Sequence, residues 1–96
     1  MPKRVDQTQA EIVYVLKQCG AEWIHTAFDP LAGCDGVVLH KGKIFIVEVK
    51  TGSLPPSRQQ LTENEKNTQA ACKRAGVTYH VIGSVDEALA LIGVAK

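Results

Sequence analysis

Between about Asp6 and Cys19 apolar side chains recur at three- and four-residue steps, with Ile12, Val13, Leu16 and Cys19 on one stripe and Val15 alongside. That spacing predicts a helix with one buried face. Asp6 or Thr8 can cap its start, and Gly20 suits the left-handed position just past its end. Glu22 to Phe28 is short and rich in aromatic and β-branched residues, which predicts a strand. Asp29-Pro30-Leu31-Ala32-Gly33 predicts a turn or loop. Two β-rich runs follow, Val37 to His40 and Lys43 to Lys50, separated by Lys41-Gly42. Two residues suit a tight hairpin, although Lys-Gly is a weaker turn pair than Asn-Gly, and a longer loop is the alternative. Thr51 to Pro56 breaks the pattern and predicts a loop. A helix then runs from about Ser57 or Thr62 to Ala75, with Thr62 and Glu65 at capping-box spacing and Gly76 at its end. Its expected inner face is small: Ala71, Cys72 and Ala75. Val77 to Ile82 predicts another strand. Ser84 then caps a last helix that carries Glu87 three residues on and buries Ala88, Leu89, Leu91 and Ile92.

The order is therefore α-β-β-β-α-β-α, an α/β fold. A strand reached through a crossover helix lies parallel to an earlier one, whereas a hairpin is antiparallel, so the sheet is expected to be mixed. Both alternating sets of the hairpin are mainly apolar. Val37, Leu39, Ile44 and Ile46 form one, and Val38, Phe45, Val47 and Val49 the other. A sheet with two apolar faces needs cover on both, and helices are the expected cover.

Composition narrows the class. With 96 residues and 45% hydrophobic content, one compact domain over 1–96 is expected. The first residues turn polar at once and no apolar run reaches bilayer length, so the expectation is a soluble cytoplasmic protein. Cys19, Cys34 and Cys72 are odd in number and widely spaced, and read as small buried residues rather than as disulfides or zinc ligands. Eleven basic side chains against ten acidic give a net charge of +1. That is too little for DNA binding by bulk attraction, so any nucleic-acid contact must come from local clusters or from copies of the chain combined in an oligomer.

Three polar residues interrupt the oily hairpin. With Lys41-Gly42 as the turn, His40 faces Lys43, Leu39 faces Ile44, and counting outward sets Asp35 opposite Glu48. Directly opposed residues have Cβ atoms roughly 4.5–5.5 Å apart. Lys50, two residues beyond Glu48, projects from the same face. Like charges so placed destabilise a sheet unless something neutralises them. A divalent cation would, since Mg²⁺ binds oxygen at about 2.0–2.1 Å, commonly from one or two carboxylates plus water and phosphate oxygens. The Val49 carbonyl can add a ligand from the same strand. Such a cation makes a nucleophilic water available, and Lys50 suits orienting that water or stabilising charge on a phosphate. The alternative is that Glu48 and Lys50 are solvated strand-end charges and Asp35 a turn residue. A one-residue bulge, pairing Glu48 with Gly36, would also weaken the geometry.

At this point the chain resembles a known family. Gly33-Cys34-Asp35, a hairpin, Glu48-Val49-Lys50, Leu61-Thr62-Glu63-Asn64-Glu65, a helix, Gly76, and a strand followed by Ser84-Val85-Asp86-Glu87 resemble the VRR-NUC branch of the PD-(D/E)XK nucleases, nearest in size to its stand-alone phage and bacterial members. The resemblance implies a restriction-endonuclease-like αβββαβ core, Mg²⁺ or Mn²⁺ as cofactor, and DNA as substrate, including four-way junctions and other branched forms. It also implies a homodimer similar to Holliday-junction resolvases, working in a bacterial or phage-infected cell. Asp35 and Glu48 become metal ligands and Lys50 the catalytic lysine. The family carries proline before the aspartate, where this chain has Cys34. The family's first-helix glutamate would fall at Gln9 or, two residues on, at Glu11, which is the candidate ligand. Glu65 stands in place of a usual glutamine, or is a capping residue only, with Gln69 one turn beyond as a second candidate; both are assigned to substrate binding together with Arg58 from the preceding loop.

The remaining polar residues are read plainly. His25, His40 and His80 fall in expected strands without ligand spacing and are taken as packing or surface residues. Lys66, Lys73 and Arg74 read as a solvated helix face. Ser57 and Thr62 lack a His–Asp arrangement for nucleophilic catalysis, and no glycine-rich phosphate loop is present. Two rivals to a DNA endonuclease stay open: a non-catalytic DNA-binding or assembly module that keeps the fold, and an enzyme needing a partner subunit for DNA binding.

Overall fold

The computed structural model describes residues 7–29, 31–50 and 60–94. Helix α1 (Gln7–Gln18) leads into strands β1 (Glu22–His25), β2 (Gly36–His40) and β3 (Lys43–Val49), then helix α2 (Glu63–Ala75), strand β4 (Tyr79–Ile82) and helix α3 (Val85–Leu91). The fold is α/β, with a four-stranded mixed sheet in the order β1-β2-β3-β4. The first three strands are antiparallel, and β4, reached through α2, runs parallel to β3. Among the described residues no helix is long and apolar enough to cross a membrane.

The hairpin turn has two residues. Lys41 and Gly42 have φ of 49° and 79°, the positive values that match the twist of the flanking strands. His40 faces Lys43, and the register runs unbroken to Gly36 opposite Val47. There it slips. The Asp35 N–H also donates to the Val47 carbonyl (2.9 Å), so two residues meet one and a β-bulge forms. Asp35 therefore does not stand directly opposite Glu48, as an uninterrupted register predicts. On its other edge Asp35 stays in line, its carbonyl accepting the Thr26 N–H at 2.9 Å.

The two faces of the sheet are covered unequally. Val38, Val47, Val49 and Ile82 pack against Ile12 and Leu16 of α1, Ala88 of α3, and Ile92 just beyond it. Ile12, Leu16, Val38 and Val47 are fully buried, each contributing about 1.5–3 kcal/mol of hydrophobic stabilisation. The opposite face carries Val37, Leu39, Ile44, Ile46 and Glu48, with α2 over its β4 side. Ile24, Ile44 and Val81 remain exposed there. The inner side of α2 is not the expected Ala71, Cys72 and Ala75. Glu65, Thr68 and Cys72 are half-buried, Ala71 and Ala75 are exposed, and no residue of α2 is fully buried. The helix lies over the polar end of the sheet, where it meets the Asp35 loop and Lys50, rather than over apolar strand surface.

Candidate active site

The loop that delivers Asp35 is tied down one carbonyl at a time. The Ala32 carbonyl accepts from Thr68 Oγ1 of α2 (3.0 Å), and that of Gly33 from the Tyr79 hydroxyl of β4 (2.6 Å). The Cys34 carbonyl accepts from Thr26 Oγ1 (2.9 Å), and that of Asp35 from the Thr26 N–H. Four successive acceptors are thus met from three directions. Gly33 is required here: its φ is +64°, and a Cβ would collide with Thr68 Oγ1 and the Asn64 carbonyl. Gly36, buried in the bulge, has no room for a side chain either, because Trp23 lies over it. Cys34 Sγ sits 3.3 Å from Thr26 Oγ1. Burial pushes its thiol pKa up, with the nearby Glu48 and Asp35 charges adding to the effect against the Thr26 hydrogen bond.

The bulge aims Asp35 at β3. Its Oδ2 accepts the Val49 N–H at 2.8 Å. The Lys50 N–H goes the other way, to the Ile82 carbonyl of β4 (2.9 Å). Amide groups alternate along a strand, so the Val49 carbonyl, like its N–H, is directed to the β2 side where Asp35 lies.

Glu48 lies on this central strand with only 3% of its surface exposed. Burial first, then the charges of Asp35 and Glu65 and the adjoining Glu65 carboxyl, push its pKa up to about 9 against the opposing pull of Lys50. Its Oε1 is buried and meets no hydrogen-bond partner among the described residues. Lys50 Nζ stands 3.6 Å from Glu48 Oε2 and 3.2 Å from Glu65 Oε1. For Glu65, burial works against ionisation, but the Thr62 N–H, the Glu48 carboxyl and Lys50 outweigh it and hold its pKa below the usual carboxylate range.

The chemistry of this donor set fits a hard divalent cation. Two carboxyl groups and a strand carbonyl converge at one sheet end, and one buried carboxyl oxygen meets no hydrogen-bond partner among the described residues. Among the described residues no group of three or more His, Cys, Asp or Glu is arranged to hold a metal ion. Magnesium does not require one, because it keeps several waters and binds through one or two carboxylates.

Asp35, Glu48, Val49, Lys50 and Glu65 are thus brought together. Glu11 is not. Helix α1 packs on the Val47 and Val49 face, opposite Glu48, and Glu11 is exposed in a shallow groove with Ala10, Tyr14, Val15 and Val85. Gln9, three residues before buried Ile12, shares the inward stripe of α1 but lies on that same opposite face. Gln69 is exposed one turn beyond Glu65, and Arg58 lies outside the described residues. His80 packs edge-on against Phe45, His25 lies beside Phe28, and His40 is buried at the turn.

Thr26, Thr68 and Tyr79 were not visible from sequence as parts of this site. Each donates a hydroxyl to a backbone carbonyl eight or more residues away, and such a contact has no spacing signature. Comparison with known proteins adds no relationship: no family model matches the chain, and no curated protein or solved structure matches it.

Proposed function

We propose that this chain is a metal-dependent DNA endonuclease of the PD-(D/E)XK type, similar to the VRR-NUC nucleases, that hydrolyses phosphodiester bonds with Mg²⁺ or Mn²⁺. The observation that carries the reading is the buried Oε1 of Glu48, which has no hydrogen-bond partner among the described residues, beside Asp35 and Lys50. A carboxyl so deeply buried and so reluctant to ionise is costly unless an ion takes the place of its proton. Asp35, Glu48 and the Val49 carbonyl would hold the cation, which when bound supplies a more acidic water and draws charge from a phosphate oxygen. Lys50, set beside the two acids, orients the attacking water or stabilises negative charge growing on the phosphate. A restriction-endonuclease-like core is compatible with the observed strand order. DNA is the proposed substrate, with branched forms such as four-way junctions favoured. A chain with a net charge of +1 gains basic surface and a second site by pairing, so a homodimer is the proposed working form.

The test is cleavage of supercoiled, single-stranded and four-way-junction DNA in Mg²⁺, Mn²⁺ or EDTA. Cutting is expected with either metal, and none in EDTA or after Asp35→Ala. Cutting that persists in EDTA or in that variant sinks the metal mechanism. One observation favours a second reading, a DNA-binding module without chemistry: Lys50 is already engaged by two carboxyl groups. Tight junction binding without cleavage in any metal would decide for the module.

A further inference from the structure

We infer that Glu65 is the positioning residue for Lys50, and that the capping box of α2 is the device that holds Glu65 in place. The inference rests on the proposed role of Lys50 at the reacting phosphate. Lys50 follows the last residue of β3, and a lysine side chain left free samples many rotamers. Its backbone is nonetheless fixed. The N–H donates to Ile82, and Gly83 sits so close to the Lys50 carbonyl that a Cβ there would clash.

The ammonium is fixed from two elements. Glu48 Oε2 reaches it from β3 at 3.6 Å and Glu65 Oε1 from α2 at 3.2 Å, and only 14% of the side chain is exposed. The helical contact is the shorter. That same Oε1 accepts the Thr62 N–H at 2.8 Å, while Thr62 Oγ1 accepts the Glu65 N–H at 3.3 Å. One oxygen therefore serves the helix cap and the lysine together. An ammonium has three N–H donors, so two carboxyl contacts leave one direction for a water or a phosphate oxygen.

The last helix contains the control. Glu87 has the same spacing from Ser84 as Glu65 has from Thr62. Its Oε1 accepts the Gly83 N–H at 2.8 Å and Ser84 Oγ accepts its N–H at 3.1 Å, yet among the described residues it meets no ammonium. Capping alone thus needs no lysine, and the Lys50 contact is an addition at α2.

The experiment reads Lys50 directly, on the metal-free full chain, as the rate at which an acetylating reagent modifies its amine, measured by peptide mass spectrometry. Exposed Lys17 of α1 is the internal reference. Glu65→Ala is expected to speed Lys50 acetylation about tenfold, the equivalent of one charge-assisted hydrogen bond. Glu65→Gln keeps an oxygen for both contacts but not the charge, and should fall between that variant and the parent, at about threefold above the parent rate. Ser84→Ala should leave Lys50 unchanged. Should Glu65→Ala unfold, Glu65→Asp keeps the charge and the helix but withdraws the carboxylate, and should also speed the reaction. A Lys50 rate unmoved by both Ala and Asp, or raised equally by Ser84→Ala, overturns the assignment. Cleavage assays add the second readout: kcat falls with KM held in Glu65→Ala and recovers in Glu65→Gln. A parent protein that cuts no DNA in any metal removes the nuclease proposal, while the acetylation rates still decide whether Glu65 positions Lys50.

Discussion

One strand, β3, builds two unlike surfaces. Val47 and Val49 point into an apolar layer formed with α1 and α3, while Glu48, between them in sequence, points to the other face with Lys50 beyond it. The first surface is lined mainly by apolar side chains and is stabilised by their burial. The second buries a carboxyl, one oxygen of which has no partner among the described residues. The two-residue period of a strand couples them. Apolar packing on one side holds Glu48 in a position that it would leave if its own solvation decided. The apolar face supplies the stability and the polar face uses it.

Breaking each side in turn should therefore give opposite signatures. Leu16→Ala, a fully buried truncation in the apolar layer, should lower stability by about 2–5 kcal/mol in urea unfolding, while the folded fraction keeps its activity per molecule. Lys50→Ala should do the reverse. It is expected to stay folded and lose about 10²–10³-fold in kcat, the usual scale for removing one stabilising donor. If Leu16→Ala cuts kcat without moving the unfolding midpoint, the two faces are not separable in this way.

Glu48 sharpens the contrast through pH. Its carboxyl is raised by burial to about 9 in the fold, against an ordinary value of 4.5. Between those values the folded chain binds more protons at this group than the unfolded chain does, so its contribution to stability falls as pH rises. The contribution is complete below the unfolded value and is lost as pH passes through about 9. Glu65 is held below its ordinary value, so its contribution has the opposite sense, present above the ordinary carboxylate range and lost on acidification. In EDTA, the melting temperature should decline from pH 5 to pH 9, and Glu48→Gln should flatten the decline and raise the melting temperature most at the alkaline end. Adding Mn²⁺ should do likewise for the parent chain but not for Glu48→Gln. A parent profile flat from pH 5 to pH 9 in EDTA would show that Glu48 ionises normally.

Much of this division was legible in the residues. The alternating apolar sets of the hairpin and the Lys41-Gly42 turn predicted which side chains share a face, and the pairing agrees up to Gly36. Thr62 with Glu65 and Ser84 with Glu87 predicted both helix starts. The bulge was not predicted as the outcome. Gly36 in a strand is the one hint, and what demands glycine there, the Trp23 ring over it, is a tertiary contact. Nor could the residues say which face α1 covers. A crossover between parallel strands has a preferred hand, but α1 precedes an antiparallel meander and no such rule constrains it. That gap is why Glu11 was a reasonable expectation in sequence and is remote in space. The small residues of α2 misled for a related reason: periodicity shows that a helix has an inner side, while the loop it rests on decides which side that is.

The smallest expected effect comes from Tyr79, and it separates the loop that holds Asp35 from the rest of the polar face. Its hydroxyl donates to the Gly33 carbonyl, two residues before Asp35. Tyr79→Phe keeps the ring and removes only that donor, so any change belongs to one hydrogen bond. The expected cost is about 0.5–1.5 kcal/mol of stability, the usual net worth of such a bond. Burial, and then the Glu48, Glu65, Cys34 and Asp35 charges, push the phenol pKa well above its ordinary value, so Tyr79 remains a donor throughout the range in which Glu48 titrates. The Tyr79→Phe loss should therefore be equal at pH 6 and pH 9, unlike the slope assigned to Glu48. It should also weaken Mn²⁺ binding measured by calorimetry, because Asp35 loses one of its loop's four anchors. Ser84→Ala costs a similar amount, about 1 kcal/mol for a lost helix cap, but lies outside this loop and should leave Mn²⁺ affinity unchanged. Equal Mn²⁺ affinity in the two variants would mean that the anchors of the 32–35 carbonyls serve folding alone.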